Sequence, residues 1–229
     1  MPLQAQSIPC KLCPLGTLAS LYKQKLFFDL GSSTWTQGAG GSSQNWFADV
    51  YESNGLEFVR MLMWEVAPQK PAELLAQVPA KYYHAYQYYN VPASADINDP
   101  KNPLNLMDRI AEKDDFVVFK LDIDTPSIEN PLYRLLNSTE RFYTKVDEFM
   151  FEHHVNFAHM RIIGAICLSF FQFCPGWGDG VELSISLGDS FRFFHSLRSK
   201  GGYFCLICEL FCLFQVFVHT AGHNVFSPN

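Results

Sequence analysis

Charge is scarce in this sequence, and cysteine is nearly absent from its first two thirds. Of 229 residues, 17% are charged, against a usual share of about 25%. Lysine and arginine number 17 against 23 acidic residues, a formal net charge of −6. A nucleic-acid partner bound through a broad basic face is therefore not expected. Between Lys11 and Arg161 the one cysteine is Cys13, and the total of seven is odd. This excludes a disulfide-framed secreted domain and points to a reducing compartment, the cytoplasm first and an organelle second. Met1–Pro9 carries no positively charged side chain and no apolar run follows, so no secretory signal is expected. Long apolar runs are missing too. The stretch Tyr203–Val218 is broken by Glu209 and Gln215, short of the roughly 20 mostly apolar residues a spanning helix needs.

Aromatic residues, in contrast, are plentiful. They make up 15% of the chain, with 21 phenylalanines, and hydrophobic residues reach 48%. Such a chain is neither disordered nor a coiled coil, and its length suits one α/β domain with a full core. The distribution is uneven. Residues 161–229 hold five of the seven cysteines and 11 of the 21 phenylalanines, and past Gly201 the one charged residue is Glu209. The sequence therefore divides into a lead-in (1–22), an α/β domain (23–202) and an apolar Cys/Phe-rich segment (203–229). That last segment reads as a buried hairpin, a divergent end from splicing or gene prediction, or, less favoured, a membrane-associating stretch.

Apolar runs bounded by turn residues alternate with amphipathic stretches. Lys25–Gly31 reads as a buried strand ending in a turn, followed by a Gly/Ser/Thr-rich loop. Ser42 or Ser43 caps a helix over Gln44–Tyr51. Further strands are expected at Phe58–Trp64, Ala85–Val91, Asp115–Asp122 and Val146–Phe151, with a final strand or hairpin at Tyr203–Leu210. Helices are expected at Pro71–Gln77, Asn105–Ala111, Asn130–Leu136 and Ser190–Leu197. This order predicts an α/β three-layer sandwich with a mainly parallel central sheet. Ligands in such sheets bind beyond the carboxyl ends of the strands. The polar residues there are Asp29, Glu65, Asp122, Asp124, Glu152 and His153.

Two of these ends form a pair. The glycine turn after Asp29-Leu30-Gly31 lets backbone approach a nucleotide-like ligand, and Glu65 can accept ribose hydroxyls. Gly41 precedes Glu65 by 24 residues, near the roughly 20 of dinucleotide folds. The glycines do not form G-x-G-x-x-G, and a plain turn followed by a solvated glutamate explains the pattern equally well. A third element follows the clearest strand: Lys120-Leu121-Asp122-Ile123-Asp124, with Glu129.

With these three elements the chain resembles class I S-adenosylmethionine-dependent methyltransferases, most nearly the FkbM type. Asp29-Leu30-Gly31 looks like that family's D-x-G, and Trp64-Glu65-Val66-Ala67-Pro68 like its F-E-P. Lys120-Leu121-Asp122-Ile123-Asp124 with Glu129 looks like K-x-D-x-E-G-x-E, with Asp124-Thr125 standing where the family has Glu-Gly. The chain is also similar to a plant and algal set combining D-L-G-x-S-T, K-L-D-I-D-T-P and D-E-F-x-x-E-H-H. The likeness spans about residues 24–200 and implies a Rossmann-like fold. It further implies S-adenosylmethionine as cofactor and methyl transfer to an oxygen or nitrogen of a small molecule or sugar.

The resemblance also implies roles. Asp29 and Gly31 would shape the pocket for the methionine part, Glu65 would hold the ribose hydroxyls, and Asp96 would reach the adenine amino group. Asp122 would lie beside the transferred methyl, with Asp122, Asp124 or His153 as base for a hydroxyl acceptor. The 34 residues from Gly31 to Glu65 leave room for a lid. Two other readings stand beside this one. Asp122-Ile123-Asp124 can bind a divalent ion, as in nucleotide-sugar glycosyltransferases, or the fold can be a degenerate, non-catalytic methyltransferase. In the bland case Asp122 caps the next helix and Asp124 is solvated.

No metal site is expected. Glu152-His153-His154 with His159 lacks H-E-x-x-H spacing and has no nearby cysteine. Cys10/Cys13 and Cys205/Cys208 are C-x-x-C pairs at opposite ends of the chain, the second better read as buried thiols.

Overall fold

The structure is a computed structural model. It describes residues 22–38 and 42–151, the helical residues Arg192, His195, Ser196 and Ser199, and the backbone of Tyr203–Phe204. The lead-in up to residue 21, all seven cysteines, Gly41, the Glu152-His153-His154 run and nearly all of 203–229 lie outside the described residues.

The apolar runs become strands where expected: β1 (Lys25–Leu30), β2 (Arg60–Trp64), β3 (Tyr86–Tyr89), β4 (Phe116–Leu121), β5 (Glu148–Phe151) and the short β6 (Tyr203–Phe204). They form one sheet in the order β3-β2-β1-β4-β5-β6, and every pair is parallel. β6 adds to the sheet at Tyr203, where the apolar segment begins.

Alternation along the strands explains the layers. Leu26, Phe28 and Leu30 enter one core with Leu62, Trp64, Phe119 and Leu121. Phe27 enters the opposite core with Met61, Met63 and Val118. Helix α1 (Ser43–Ser53) covers the second face through Phe47, Ala48 and Tyr51, with Trp35 and Tyr82 beside it. The first face is covered by α3 (Pro103–Ile110), α4 (Pro126–Ser138) and α5 (Glu140–Tyr143), through Leu104, Met107, Leu132, Leu136 and Phe142. The short α2 (Pro71–Leu75) links β2 towards β3. The fold is thus α/β and Rossmann-like, with helices on both faces of a parallel sheet. Among the described residues no helix is long and apolar enough to cross a membrane.

Local signals account for most of the helix ends. Ser42 is the N-cap of α1, accepting from the Asn45 N–H, while its neighbour Ser43 turns to another partner. Asn102 caps α3 by accepting from the Leu104 N–H at 3.0 Å, with Pro103 at the first helical position. Helix α4 departs from expectation. It begins at Pro126, ahead of the expected Asn130, and carries Pro131 inside. A proline there removes a backbone bond. Burial of Leu132, Tyr133 and Leu136 on one face outweighs the local preference to start later. Nor was a single turn at Ala80–Tyr82 or helix α5 anticipated.

The span between Gly31 and Glu65, read as room for a lid, is occupied by an anchored loop, α1 and β2. Trp35 is buried and packs on Tyr82 with ring centroids 5.1 Å apart. Gln77 Oε1 accepts from the hydroxyls of Thr34 and Thr36 at 2.8 and 2.6 Å. A buried aromatic contact and hydroxyl bonds nearer the surface hold Thr34, Trp35 and Thr36 down.

Candidate functional site

Strand order reverses direction between β1 and β4. The chain runs outward through β2 and β3 on one side and through β5 and β6 on the other. In open α/β sheets this switch point opens a crevice at the carboxyl ends of the two central strands. Asp29-Leu30-Gly31 and Lys120-Leu121-Asp122 end those strands, in register through Asp29–Lys120.

Asp29 lies fully buried on the α1 face. The Ser43 hydroxyl donates to its Oδ2 at 2.8 Å, and Lys120 Nζ lies 3.0 Å from Oδ1. Lys120 is itself buried and sits equally close, 3.0 Å, to Asp122 Oδ2. Its ammonium also approaches the Gly31 carbonyl at 3.5 Å. Burial works against this charge, yet the two carboxylates outweigh it and raise the lysine above its ordinary range. A buried cation thereby clamps both central strands, a role the sequence reading did not assign to Lys120.

Gly31 has φ +82°, and a Cβ there would meet the Asp122 carbonyl oxygen at 1.7 Å. The glycine therefore serves the close crossing of two strand ends, a different reason from the ligand approach expected of it. The Asp122 N–H donates to the Leu30 carbonyl at 3.1 Å, and the N–H groups of Gly31 and Ser32 both reach the Trp64 carbonyl at 3.0 Å. Three strand ends are thus tied at one point.

Glu65 stands half-buried just past β2. Its Oε2 accepts from the Ser33 N–H at 3.0 Å and its Oε1 from the Ala67 N–H at 2.8 Å. Asn90 braces the same turn, donating to the carbonyls of Glu65 and Ala67 at 2.7 and 2.8 Å. Asp29, Gly31, Lys120 and Asp122 are joined by these bonds into one cluster, and Glu65 is tied through Ser33 to the loop that follows Gly31. Asp96 stands apart from that network, exposed in the loop after β3, where Oδ1 accepts from the Asn98 N–H at 2.9 Å in a local Asx turn.

Asp124 is exposed, with φ +53°, and follows Asp122 into the β4–α4 loop. Thr125 is the N-cap of α4, so the bland reading of Asp122 as helix cap does not hold. Glu129 closes the Lys120–Asp124 motif from within the helix. It is buried on α4 and accepts from the Ile123 N–H at 2.8 Å. Burial, offset by this bond and reinforced by Asp122 and Asp124, pushes its carboxyl up to about 8. His153 lies outside the described residues. Among those described, no group of three or more His, Cys, Asp or Glu residues is placed to hold a metal ion.

A layer of tyrosines under the β1–α1 loop also went unassigned. The Tyr88 hydroxyl donates to the Ser33 carbonyl at 2.8 Å. Gln44 Nε2 donates to the carbonyls of Ser32 and Ser33 at 2.9 and 3.3 Å, and Gln44 Oε1 accepts from the Tyr86 hydroxyl at 2.7 Å. Burial pushes both phenols well above their ordinary range, so they remain donors. The signal for this layer was the two-residue spacing Tyr86-x-Tyr88, which places both rings on the α1 face.

No family model, no curated protein and no solved structure matches the chain.

Proposed function

We propose that the chain is a methyltransferase that binds S-adenosylmethionine at the carboxyl ends of β1 and β2. It would transfer the methyl group to an oxygen or nitrogen of a small molecule or sugar. The observation that carries this reading is Glu65, at the end of β2 and bonded to the β1 loop through the Ser33 N–H. A carboxylate has about four acceptor positions. Among the described residues two backbone N–H groups use two of them, which leaves acceptor capacity for a ribose diol. These free acceptor positions fit the hydroxyls of a nucleoside-bearing cofactor.

In this reading Asp29, Lys120 and Gly31 form the floor that fixes the strand ends, and Asp96 approaches the adenine edge from the β3–α3 loop. The cofactor supplies an electrophilic methyl on a sulfonium. The protein contributes alignment of the acceptor and, for a hydroxyl, a base. Asp124 suits that role better than Asp122 because it is exposed, whereas the ion pair to Lys120 stabilises ionised Asp122 and weakens it as a base. The same ion pair disfavours the divalent-ion reading of Asp122-Ile123-Asp124, since an ammonium already holds one carboxylate. A small-molecule acceptor and a reducing compartment complete the proposal.

Isothermal titration with S-adenosylmethionine and S-adenosylhomocysteine tests it. Binding in the micromolar range is expected, with loss in Glu65→Ala. Absence of heat with both ligands overturns the reading, and binding without turnover across acceptor classes favours a non-catalytic fold.

A further inference from the structure

The loop after β1 holds a non-glycine residue in a left-handed conformation, Ser33 at φ +51°, and both peptide groups flanking it are pinned. On one side its N–H donates to Glu65 Oε2 at 3.0 Å. On the other its carbonyl accepts from the Tyr88 hydroxyl at 2.8 Å and from Gln44 Nε2 at 3.3 Å. A serine has no intrinsic reason to adopt this backbone geometry, so the surrounding bonds must impose it. Tyr88 comes from β3, Gln44 from α1 and Glu65 from the end of β2. Three elements therefore converge on one residue.

We propose that Tyr88 is a positioning residue for the ligand's ribose, acting through the Ser33 peptide on Glu65. This rests on the reading of Glu65 given above and adds to it. The Tyr88 hydroxyl holds the Ser33 carbonyl and Gln44, steadied by Tyr86, holds it from the helix side. With the carbonyl fixed, the left-handed turn is fixed and the Ser33 N–H stays aimed at Oε2. The Ala67 N–H holds Oε1. Held at both oxygens, the carboxylate presents its remaining acceptor positions in one orientation, which is what recognition of two adjacent hydroxyls demands. Without the Tyr88 hydroxyl the turn relaxes, one of the two N–H bonds to Glu65 loosens, and the carboxylate swings.

Tyr88→Phe keeps the ring and removes the hydroxyl. Titration calorimetry compares wild type, Tyr88→Phe, Glu65→Gln and the double variant. The ligands are S-adenosylhomocysteine and its analogue lacking the 2′ and 3′ hydroxyls. Tyr88→Phe should weaken S-adenosylhomocysteine about 3- to 10-fold, the range of one neutral hydrogen bond. It should cost less than about twofold in the Glu65→Gln background or with the dideoxy analogue. An equal loss in all backgrounds, or no loss in any, overturns the proposal. Hydrogen exchange of the ligand-free protein gives a second readout. The Ser33 amide should exchange about 10-fold faster in Tyr88→Phe, by the same scale of one hydrogen bond, and an unchanged rate overturns the positioning role. If wild type binds neither ligand while the Ser33 amide responds, the methyltransferase reading fails, the ribose assignment fails with it, and the link from Tyr88 to Ser33 stands.

Discussion

The two ends of β4 hold buried and half-buried acids in opposite ways. At its carboxyl end Asp29 and Asp122 share the ammonium of Lys120, each at 3.0 Å. At its amino end the acids rely on neutral donors. Asp115, also buried, accepts from the N–H groups of Gln24 and Glu112 at 3.1 and 2.8 Å. Asp147 accepts from the Val117 N–H at 2.8 Å, and Glu148 from the Tyr51 hydroxyl. Burial, with Asp115 nearby, pushes Asp147 up to about 6, and Glu148 is raised as well. Backbone N–H groups thus satisfy geometry at one end, while at the other a full charge compensates charge. The difference shows which end sets a full charge against its carboxylates, and that end is the one at the switch point, although burial still raises Asp29 above its ordinary range. Glu129 belongs by position to the carboxyl end and by chemistry to the other, since burial lifts it to about 8.

The largest expected effect comes from breaking the crossing itself. Gly31→Ala places a Cβ 1.7 Å from the Asp122 carbonyl oxygen at φ +82°, and should cost more than about 4 kcal/mol or prevent folding. Urea unfolding measures it, and a loss under about 1 kcal/mol would show that the strand ends can separate.

Next is Lys120→Met, which strands two carboxylates around an apolar chain. A cost of about 3–5 kcal/mol at neutral pH is expected, shrinking as acid protonates Asp29 and Asp122. A cost independent of pH would mean the lysine acts by packing alone.

Glu129→Gln sharpens the contrast. The folded-state pKa of Glu129 is raised from 4.5 to about 8, so the unfolded chain loses its proton first as pH rises. The stability tied to that proton is full below about pH 4.5 and lost as pH rises through about 8. The glutamine variant keeps an acceptor for the Ile123 N–H and cannot ionise. It should be more stable than wild type by about 1–3 kcal/mol above pH 8.5, with the advantage gone near pH 4. Thermal unfolding across pH checks the slope, and parallel curves would discard the assignment.

Smallest is Asp147→Asn at the amino end. By the same sign argument wild type loses stability as pH rises from about 3.8 to about 6. The asparagine variant should flatten that window, gaining about 1–2 kcal/mol at neutral pH. A net loss at neutral pH would mean that the ionised carboxylate is favoured there after all.

The legible part of the fold was the part with a strong apolar signal. β1 and β4 are runs of apolar residues closed by charged or turn residues, and a strand buried on both faces has that signature. Ser42, one of two serines expected to cap, marks α1, whereas Asn102 and Pro103 start α3 ahead of the expected Asn105. Helix α4 was read short because Pro131 obscures its first turns, and packing of Leu132 and Leu136 overrides that preference. The polar residues at strand ends were also legible, because any charge at the end of a buried run has to sit at a rim.

What joins those residues depended on distance in space. Asp29 and Lys120 are 91 positions apart, and Ser33 and Tyr88 are 55 apart. Neither pair leaves a local trace. The amino-acid sequence alone determined an α/β alternation with acids at the carboxyl ends of its strands, because periodicity and burial are properties of single segments. Only the tertiary structure decided that Lys120 shares its charge between two strands, that Gly31 is required by the β4 backbone, and that Tyr88 reaches Glu65 through Ser33. Strand order and register set those neighbours, and both arise from the packing of elements on each other.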